Sequence, residues 1–333
     1  MKENVCILGD GGWGTALAIL LHRKGARVSL WGAFPEYLAE VSRTRVNRKF
    51  LPSVVIPPDI RLTADLAAAL EKAQAVIVAV PSHFLREVCR KAAPFLPPGC
   101  LAVSAAKGLE VATLKRMSEV IGEEFPPGAL AVISGPSHAE EVAKNLPATV
   151  VAASVVPESA RRAQGLLMDE RFRVYTHDDV VGVELGGAIK NVIAIAAGIS
   201  DGFRLGDNTK AAILTRGMVE ISRLGTALGG RIETFWGLSG IGDLIVSAYS
   251  PYGRNVRLGR MIGEGLALEK ALTSSEMVCE GVRSAAAVNR LAARTGVEMP
   301  IVREVYRVLY EGKPPLQAVR DLMTREPKSE NSR

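Results

Sequence analysis

The sequence predicts an α/β N-terminal half with a doubly wound, mainly parallel sheet, followed by an all-α C-terminal domain. Three observations support this. Short apolar runs alternate with helix-like stretches through the first half, the runs are apolar at consecutive positions, and they stop after about Gly182. Strands that are buried on both faces have this composition. Alternation of strands and helices implies right-handed crossovers that place helices on both faces of the sheet.

The six predicted strands are rich in Val, Ile and Ala. They lie at 5–8, 28–31, 75–80, 101–105, 130–133 and 149–153. Beyond them, apolar residues recur at helical spacing, first at Leu214, Met218, Ile221, Leu224 and Leu228. Later helices are predicted around 288–291, 302–309 and 316–323, with Gly296 and Gly312 near their ends.

The chain length is that of a two-domain protein. Its 333 residues correspond to about two domains of roughly 150 residues each. We expect an α/β domain over 1–182, a helical domain over 183–325 and a flexible tail over 326–333, where there is nothing apolar to bury.

Composition excludes several classes of protein. With 48% hydrophobic and 23% charged residues, the chain can fill a large core. The net charge is +6, but the basic residues are scattered and aromatic residues make up only 5%, so no nucleic-acid partner is expected. The sequence begins without a long apolar segment and contains no uncharged apolar run of about 18 residues. We therefore expect a cytoplasmic protein without membrane insertion.

Cysteine and histidine spacing predicts neither disulfides nor a metal site. The cysteines lie in mostly apolar surroundings without CxxC spacing, at Cys6, Cys89, Cys100 and Cys279. Buried free thiols are expected of such residues in a reducing compartment. The four histidines do not pair with one another or with cysteine at the spacing of metal ligands.

The segment GDGGWG, residues 9–14, follows the first predicted strand and opens a predicted helix. This is the dinucleotide-binding pattern in the context it requires, and it predicts a Rossmann-like first domain. Gly9 permits the tight turn, Gly11 lets the main chain approach a pyrophosphate, and Gly14 lets helix and strand pack closely. The alternative is a glycine turn that serves packing alone.

The choice between NADH and NADPH stays open. An acidic residue at the end of the second strand would favour the unphosphorylated ribose of NAD. Residues 30–34 contain no acid, and they contain no arginine to bind a 2′-phosphate either. Arg43, Arg45 and Arg48 follow and could fold back toward this end.

Several polar residues lie at strand ends or in glycine-rich segments, where ligands of doubly wound sheets collect. Lys107 directly follows a predicted strand and could contact a substrate phosphate; alternatively it is a solvated surface lysine. Arg254 and Asn255 offer donors suited to phosphate, or a surface ion pair. Asp243 lies in the segment GLSGIGDL, and Glu280 could accept from a ribose hydroxyl or be a solvated turn acid.

Lys190 and Asn191 precede a nearly uninterrupted apolar stretch over 192–199. A helix there would be hydrophobic on every face and therefore central to the second domain. We expect Lys190 at the start of this helix. A half-buried lysine needs an anionic partner, a ligand or a shifted pKa.

Seven motifs together resemble bacterial NAD(P)-dependent glycerol-3-phosphate dehydrogenases along nearly the whole chain. They are GDGGWGTALA from Gly9, AAKGLE from Ala105, SGPSHAEE from Ser134, GVELGGAIKNVIAIAAGISDG from Gly182, GLSGIGDL from Gly237, GRN from Gly253 and VCEG from Val278. The resemblance implies interconversion of sn-glycerol 3-phosphate and dihydroxyacetone phosphate with NADH or NADPH, which supplies glycerol 3-phosphate for phospholipid synthesis.

The resemblance also implies roles for individual residues. Lys190 becomes the proton acceptor, and Lys107 and Arg254 become basic groups shared between the substrate phosphate and the cofactor. The remaining substrate contacts implied are Gly135, Ser137, Asp243, Gly253 and Asn255, with Asn191 and Ser247 as supports around the reacting hydroxyl. The cofactor contacts implied, besides Gly9, Gly11 and Gly14 of the glycine turn, are Gly12, Trp13, Ala139, Val278 and Glu280.

Five positions depart from the usual family pattern. Ala33 replaces a residue that is often basic, which argues against a strong preference for NADP. His138 stands where Phe is usual, and Ala248 stands for a more common Cys. Gly253 replaces a Ser, so only a backbone contact can survive there. Ser247 keeps the hydroxyl of the customary Thr.

Lys190 must be neutral to act as a base, against a reference pKa near 10.4. Desolvation and a second cation such as Lys107 would lower its pKa, whereas Asp243 would raise it. The sequence does not say which effect is larger.

Two other functions fit parts of this pattern. A related two-domain dehydrogenase for another hydroxy-acid or phosphosugar would keep the glycine turn and a helical Lys-Asn pair, but should lack the pairing of GRN with GLSGIGDL. A non-catalytic nucleotide-sensing module would need no lysine at position 190. For assembly, a homodimer is the default expectation.

Overall fold

The structure is a computed structural model that describes residues 3–273, 279–327 and 329–330. Within these ranges the chain forms one eight-stranded sheet and sixteen α-helices. The strands are β1 (Asn4–Leu8), β2 (Arg27–Trp31), β3 (Arg61–Thr63), β4 (Ala75–Val78), β5 (Leu101–Ser104), β6 (Leu130–Ser134), β7 (Ala148–Ala153) and β8 (Phe172–His177).

The strand order is β3-β2-β1-β4-β5-β6-β7-β8, and every pairing is parallel except that of β6 with β7. The order reverses at β1, which pairs with both β2 and β4. A crevice therefore opens beyond the carboxyl ends of β1 and β4, where doubly wound sheets bind their ligands.

Helices cover both faces of this sheet. They are α1 (Gly12–Arg23), α2 (Pro35–Thr44), α3 (Leu66–Leu70), α4 (Ser82–Ala92), α5 (Met117–Glu124), α6 (Ala139–Ala143) and α7 (Pro157–Leu167). Apolar residues of α1 and α7 build the core on one face, and residues of α3, α4 and α5 build the core on the other. The predicted doubly wound arrangement is confirmed.

The rest of the described chain is helical, as predicted. Its helices are α8 (Val180–Gly202), α9 (Asp207–Ala227), α10 (Ile232–Phe235), α11 (Asp243–Tyr249), α12 (Arg254–Gly263), α13 (Leu268–Thr273), α14 (Glu280–Thr295), α15 (Pro300–Tyr310) and α16 (Pro315–Met323). The segment Leu238–Gly242 forms a π-helical turn before α11. Gly296 ends α14 with a φ of +67°, a conformation that favours glycine.

All six predicted strands are present, but the prediction missed β3 and β8. β3 has three residues and lies at the edge of the sheet. β8, at the other edge, alternates buried Phe172 and Val174 with exposed Arg173 and Tyr175. Only strands that are covered on both faces are apolar at consecutive positions, and an edge strand with one solvated face lacks this pattern.

The prediction that Lys190 starts its helix is wrong. α8 begins at Val180, where the Asp179 side chain accepts a hydrogen bond of 2.8 Å from the Gly182 N–H, so Lys190 lies mid-helix. Glu184, on the first turns of α8, is buried because Arg116 and the Ser118 N–H bind its carboxylate at 2.7 and 2.8 Å.

α8 is the central element of the helical region. It is long and apolar enough to cross a membrane, but 89% of its apolar window is buried inside the protein. A Cβ built on Gly187 would lie 2.7 Å from Ser134 Oγ, so the glycine lets α8 approach the carboxyl end of β6 closely. That approach brings Lys190 to the edge of the sheet where ligands bind.

The four cysteines are buried and free, as predicted. Burial raises the pKa of every one of these thiols above its ordinary value. Of the predicted tail, residues 328 and 331–333 lie outside the described residues, and its flexibility stays a prediction.

Candidate active site

The glycine turn after β1 has the geometry of a dinucleotide-binding loop. Gly9 has a φ of +118°, and a Cβ there would lie 2.9 Å from the Ala79 backbone. A Cβ on Gly14 would lie 1.9 Å from the Gly9 carbonyl oxygen, so the start of α1 can approach β1 only as glycine. A Cβ on Gly11, by contrast, would meet no atom within 4 Å. The amino end of α1 is therefore open to a pyrophosphate at Gly11.

Gly12 and Trp13, at the start of α1, pack against other residues of the α/β domain. A Cβ on Gly12 would lie 2.7 Å from the Phe50 carbonyl oxygen and 3.7 Å from the Ala139 Cβ, which places Ala139 beside the glycine turn. Trp13 is partly buried against the core, and its indole N–H is buried without a hydrogen-bond partner in the described structure. These residues fit a bound dinucleotide, since the loop is open at Gly11 and carries an unused donor.

Two lysines meet at one buried carboxylate. Asp243, at the start of α11, accepts from Lys190 Nζ at 3.0 Å and from Lys107 Nζ at 2.8 Å. Lys107 follows β5 and also donates to the Gly135 carbonyl oxygen at 2.9 Å. Asp243 is 2% exposed and Lys190 is 6% exposed. The cluster thus joins the end of β5, the loop after β6, α8 and α11.

Burial decides the charge state of Lys190. Desolvation, together with the charges of Lys107 and Arg254, lowers the pKa of Lys190 to about 8, although Asp243 raises it. Burial alone would raise the pKa of Asp243, but the two lysines keep it below its ordinary value, so its carboxylate is charged. Lys190 can therefore both lose and regain a proton near neutral pH.

A hydroxyl group and two side-chain amides extend the polar cluster of Lys190. Its Nζ also donates to Ser247 Oγ. The next residue of α8 is Asn191, whose side-chain amide donates to the Lys107 and Gly187 carbonyl oxygens at 3.5 and 3.3 Å. Asn255 donates to Asn191 Oδ1 at 2.9 Å. This network fixes the orientation of α8 relative to α12.

The loop after β6 supplies the opposite wall. Ser137 Oγ donates to the Gly135 carbonyl oxygen at 3.0 Å. His138 lies close enough to Lys190 and Lys107 that burial and then their charges lower its pKa to about 4. The imidazole is therefore neutral at neutral pH, and its Nε2 lies 3.5 Å from the Val246 carbonyl oxygen.

α12 brings its first residues to the same cluster. Gly253 precedes the helix, and a Cβ there would lie 2.7 Å from the Ser247 carbonyl oxygen, so the position accepts no larger residue without a shift. Arg254 is the first residue of α12, and its charge contributes to the lowered pKa of Lys190. The Cys279 thiol lies 3.9 Å from the Arg254 carbonyl oxygen.

Glu280 connects the helical region to the start of α4. At the start of α14, its carboxylate accepts from the Ser82 N–H at 2.8 Å and from Ser82 Oγ at 2.6 Å. A Cβ on Gly108, next to Lys107, would lie 2.7 Å from the Ser82 Cβ. Val278, the other predicted contact from this segment, lies outside the described residues.

The structure thus brings the predicted residues into two groups. Around the lysine pair it places Lys107, Gly135, Ser137, Lys190, Asn191, Asp243, Ser247, Gly253, Arg254 and Asn255. Around the glycine turn it places Gly9, Gly11, Gly12, Trp13, Gly14 and Ala139. Sequence reasoning missed the partnership of Ser82 with Glu280 and the neutral His138 beside Lys190. Both Ser82 and His138 follow predicted strands, at 75–80 and 130–133, where ligands of doubly wound sheets collect.

Comparison with known proteins decides the family. The family model described as NAD-dependent glycerol-3-phosphate dehydrogenase N-terminus matches residues 4–160, and the model of the C-terminus matches residues 179–320. The chain belongs to the NAD-dependent glycerol-3-phosphate dehydrogenase family. The resemblance inferred from the seven motifs is confirmed.

Individual relatives agree along nearly the full length. The chain is 53% identical to glycerol-3-phosphate dehydrogenase (NAD(P)+) of Moorella thermoacetica, covering 98% of this chain and 97% of that one. The crystal structure of glycerol-3-phosphate dehydrogenase from Coxiella burnetii matches with a TM-score of 0.94 and 40% identity, over 97% of this chain and 99% of that one. A ketopantoate reductase from Ralstonia eutropha, 16% identical with a TM-score of 0.62 over 95% and 99% of the chains, shares the fold alone.

Proposed function

We propose that this protein is an NAD(P)-dependent glycerol-3-phosphate dehydrogenase, an oxidoreductase that interconverts sn-glycerol 3-phosphate and dihydroxyacetone phosphate by hydride transfer. The observation that carries the proposal is the buried Lys190, bound to Asp243 and next to Lys107, with a pKa of about 8. A proton-transfer group with this pKa suits a reaction that takes a proton from an alcohol in one direction and returns it to a ketone in the other.

The residues divide the chemistry among them. In oxidation, neutral Lys190 accepts the proton of the secondary hydroxyl at Nζ, while the hydrogen on the carbon that bears this hydroxyl leaves as hydride. In reduction, protonated Lys190 donates the proton to the ketone oxygen. A bound nicotinamide supplies the hydride acceptor or donor. Asp243 stays charged and holds the amine in one orientation. The pair is buried, so water is excluded from the proton transfer.

Basic and amide groups bind the phosphate of this small substrate. Lys107, Arg254 and Asn255 supply the donors, and the Gly253 backbone contributes where a serine side chain is absent. Binding energy from the phosphate orients the reacting carbon, which is remote from it. Lys107 and Arg254 also contact the cofactor in this proposal, together with Ala139, Trp13 and Glu280.

We further propose a cytoplasmic homodimer without membrane insertion, made of a dinucleotide-binding domain over 1–182 and a helical catalytic domain over 183–325. Free, buried thiols suit a reducing compartment. Three large apolar side chains are exposed: Ile232 on α10, Trp236 directly after α10 and Ile245 on α11. Such side chains are available to an interface between two copies of the chain. Light scattering in solution would measure the mass.

A spectrophotometric assay tests the activity. Addition of dihydroxyacetone phosphate should consume nicotinamide absorbance, once with NADH and once with NADPH. Ketopantoate and 6-phosphogluconate serve as controls for the related dehydrogenases that share the fold. Turnover of either control in preference to dihydroxyacetone phosphate would overturn the substrate assignment, and dinucleotide binding without any turnover would favour a sensing module.

A further inference from the structure

Asp10 places a carboxylate at the end of the second strand from an unusual position. The residue lies in the glycine turn, between Gly9 and Gly11, rather than on β2. A Cβ built on Gly32, the residue after β2, would lie only 2.5 Å from Asp10 Oδ2. The carboxylate therefore packs directly against the carboxyl end of β2, and Gly32 leaves the room for it.

One oxygen of this carboxylate has no partner. Asp10 Oδ2 is buried and accepts no hydrogen bond in the described part of the chain. One neighbouring donor is engaged elsewhere, since the Asn47 amide donates to the Asp10 carbonyl oxygen at 2.6 Å and to Thr15 Oγ1 at 2.8 Å. An unsatisfied buried acceptor is costly, so its retention in a binding loop indicates a donor that arrives with a ligand.

The end of β2 is where doubly wound sheets read the adenosine ribose, usually with an acidic residue of β2 that accepts from the 2′-hydroxyl. Here β2 continues into Gly32, Ala33 and Phe34, none of which is acidic. Asp10 brings the missing carboxylate to the same place from the neighbouring loop. We propose that Asp10 accepts the 2′-hydroxyl of the adenosine ribose and thereby selects NAD(H) over NADP(H). This inference rests on the proposed dinucleotide-dependent function.

Among the residues that the structure describes, no cation forms an ion pair with this carboxylate. Arg45 donates to the Ile60 carbonyl oxygen at 3.0 Å. Arg43 and Arg48 are exposed. Burial raises the pKa of Asp10, and no cation is among the groups that offset that effect. A 2′-phosphate would therefore meet a carboxylate without an opposing charge next to it.

Binary affinities test this proposal without any turnover. Dissociation constants for NADH and NADPH would be measured by calorimetry, with no triose phosphate present, for the parent chain and for Asp10→Asn and Asp10→Ser. We expect the parent to bind NADH more tightly, and the ratio of the NADPH to the NADH constant to fall by about tenfold or more in both variants. Thermal unfolding would establish that each variant folds.

Two control variants make the result specific. Glu40→Gln removes the same charge from an exposed position on α2 and should leave the ratio unchanged. Glu36→Gln tests the other acid near the end of β2; a ratio that responds to Glu36 and not to Asp10 would overturn the assignment. So would a parent that prefers NADPH, or a parallel loss of both affinities in the Asp10 variants, since that is what a purely structural role predicts.

The outcomes separate this inference from the proposed function. Selective binding that depends on Asp10, without reduction of dihydroxyacetone phosphate, would refute the function and keep the inference. Reduction of dihydroxyacetone phosphate with an unchanged affinity ratio in Asp10→Asn would refute the inference alone.

Discussion

Replacing Asp243 with asparagine should change the pH at which the site works. The carboxylate lies 3.0 Å from Lys190 Nζ, and at an effective dielectric constant of about 20 its attraction for the ammonium is about 5.5 kcal/mol. Without it, desolvation and the charge of Lys107 both continue to favour the neutral amine. The amide dipole and local relaxation recover part of the loss, so we expect the pKa of Lys190 to fall from about 8 to about 7 or lower.

The assay is the pH dependence of kcat in both directions. Reduction of dihydroxyacetone phosphate needs the protonated amine, so the parental rate should fall as pH rises through about 8, and the variant should lose rate at lower pH. Oxidation of glycerol 3-phosphate needs the neutral amine, so its rate should reach a plateau at lower pH in the variant.

Asp201→Asn is the matched control. Asp201 lies near the end of α8, and its carboxylate pairs with Lys210 at a distance of 2.9 Å rather than with Lys190. The substitution should leave both pH profiles unchanged. An inflection in Asp243→Asn that stays near the parental value, or moves to higher pH, would refute the reasoning about Lys190.

Three further predictions address the binding loop, the contact between sheet and helices, and the fold. Gly11→Ala should weaken NADH binding by about tenfold or more without lowering the unfolding temperature, since its Cβ meets no protein atom. Gly165→Ala is equally open but remote on α7; it should leave NADH binding unchanged and should not lower the unfolding temperature, because alanine is the better helix former. Calorimetry and thermal unfolding test both variants. Ser82→Ala should cost about 1–3 kcal/mol of unfolding free energy by removing one donor to Glu280, measured by urea denaturation, and unchanged stability would contradict the contact. Burial raises the pKa of Glu220 to about 7, so the stability that this group contributes at low pH should be lost as pH rises through that value; Glu220→Gln should flatten the pH dependence of stability, and an unaltered slope would contradict it.

The fold was largely predictable because its central strands are buried on both faces. Such strands are continuously apolar, and the glycine turn then identifies which strand comes first. The edge strand β8 escaped because Arg173 and Tyr175 face solvent. The start of α8 escaped because Glu184 reads as a surface residue until Arg116, distant in sequence, is seen to bind it.

The fold brings together residues that the sequence singled out, but the sequence did not determine the energetics of their contacts. The resemblance supplied Lys190, Asp243 and Lys107, yet only the fold shows that both lysines share one carboxylate across three separate segments. The sign of the Lys190 pKa shift depends on how completely the amine is desolvated, which spacing in the sequence does not determine. The position of the Asp10 carboxylate likewise depends on the contact between the glycine turn and Gly32.

The role of Lys190 is tested most directly by removing its amine. In Lys190→Ala, kcat for dihydroxyacetone phosphate reduction should fall by about 100-fold or more, because general acid catalysis is lost, while the dissociation constant for NADH should stay near the parental value. Added methylamine should restore part of the rate. Parental turnover in Lys190→Ala would contradict the assignment of this lysine as the proton-transfer group.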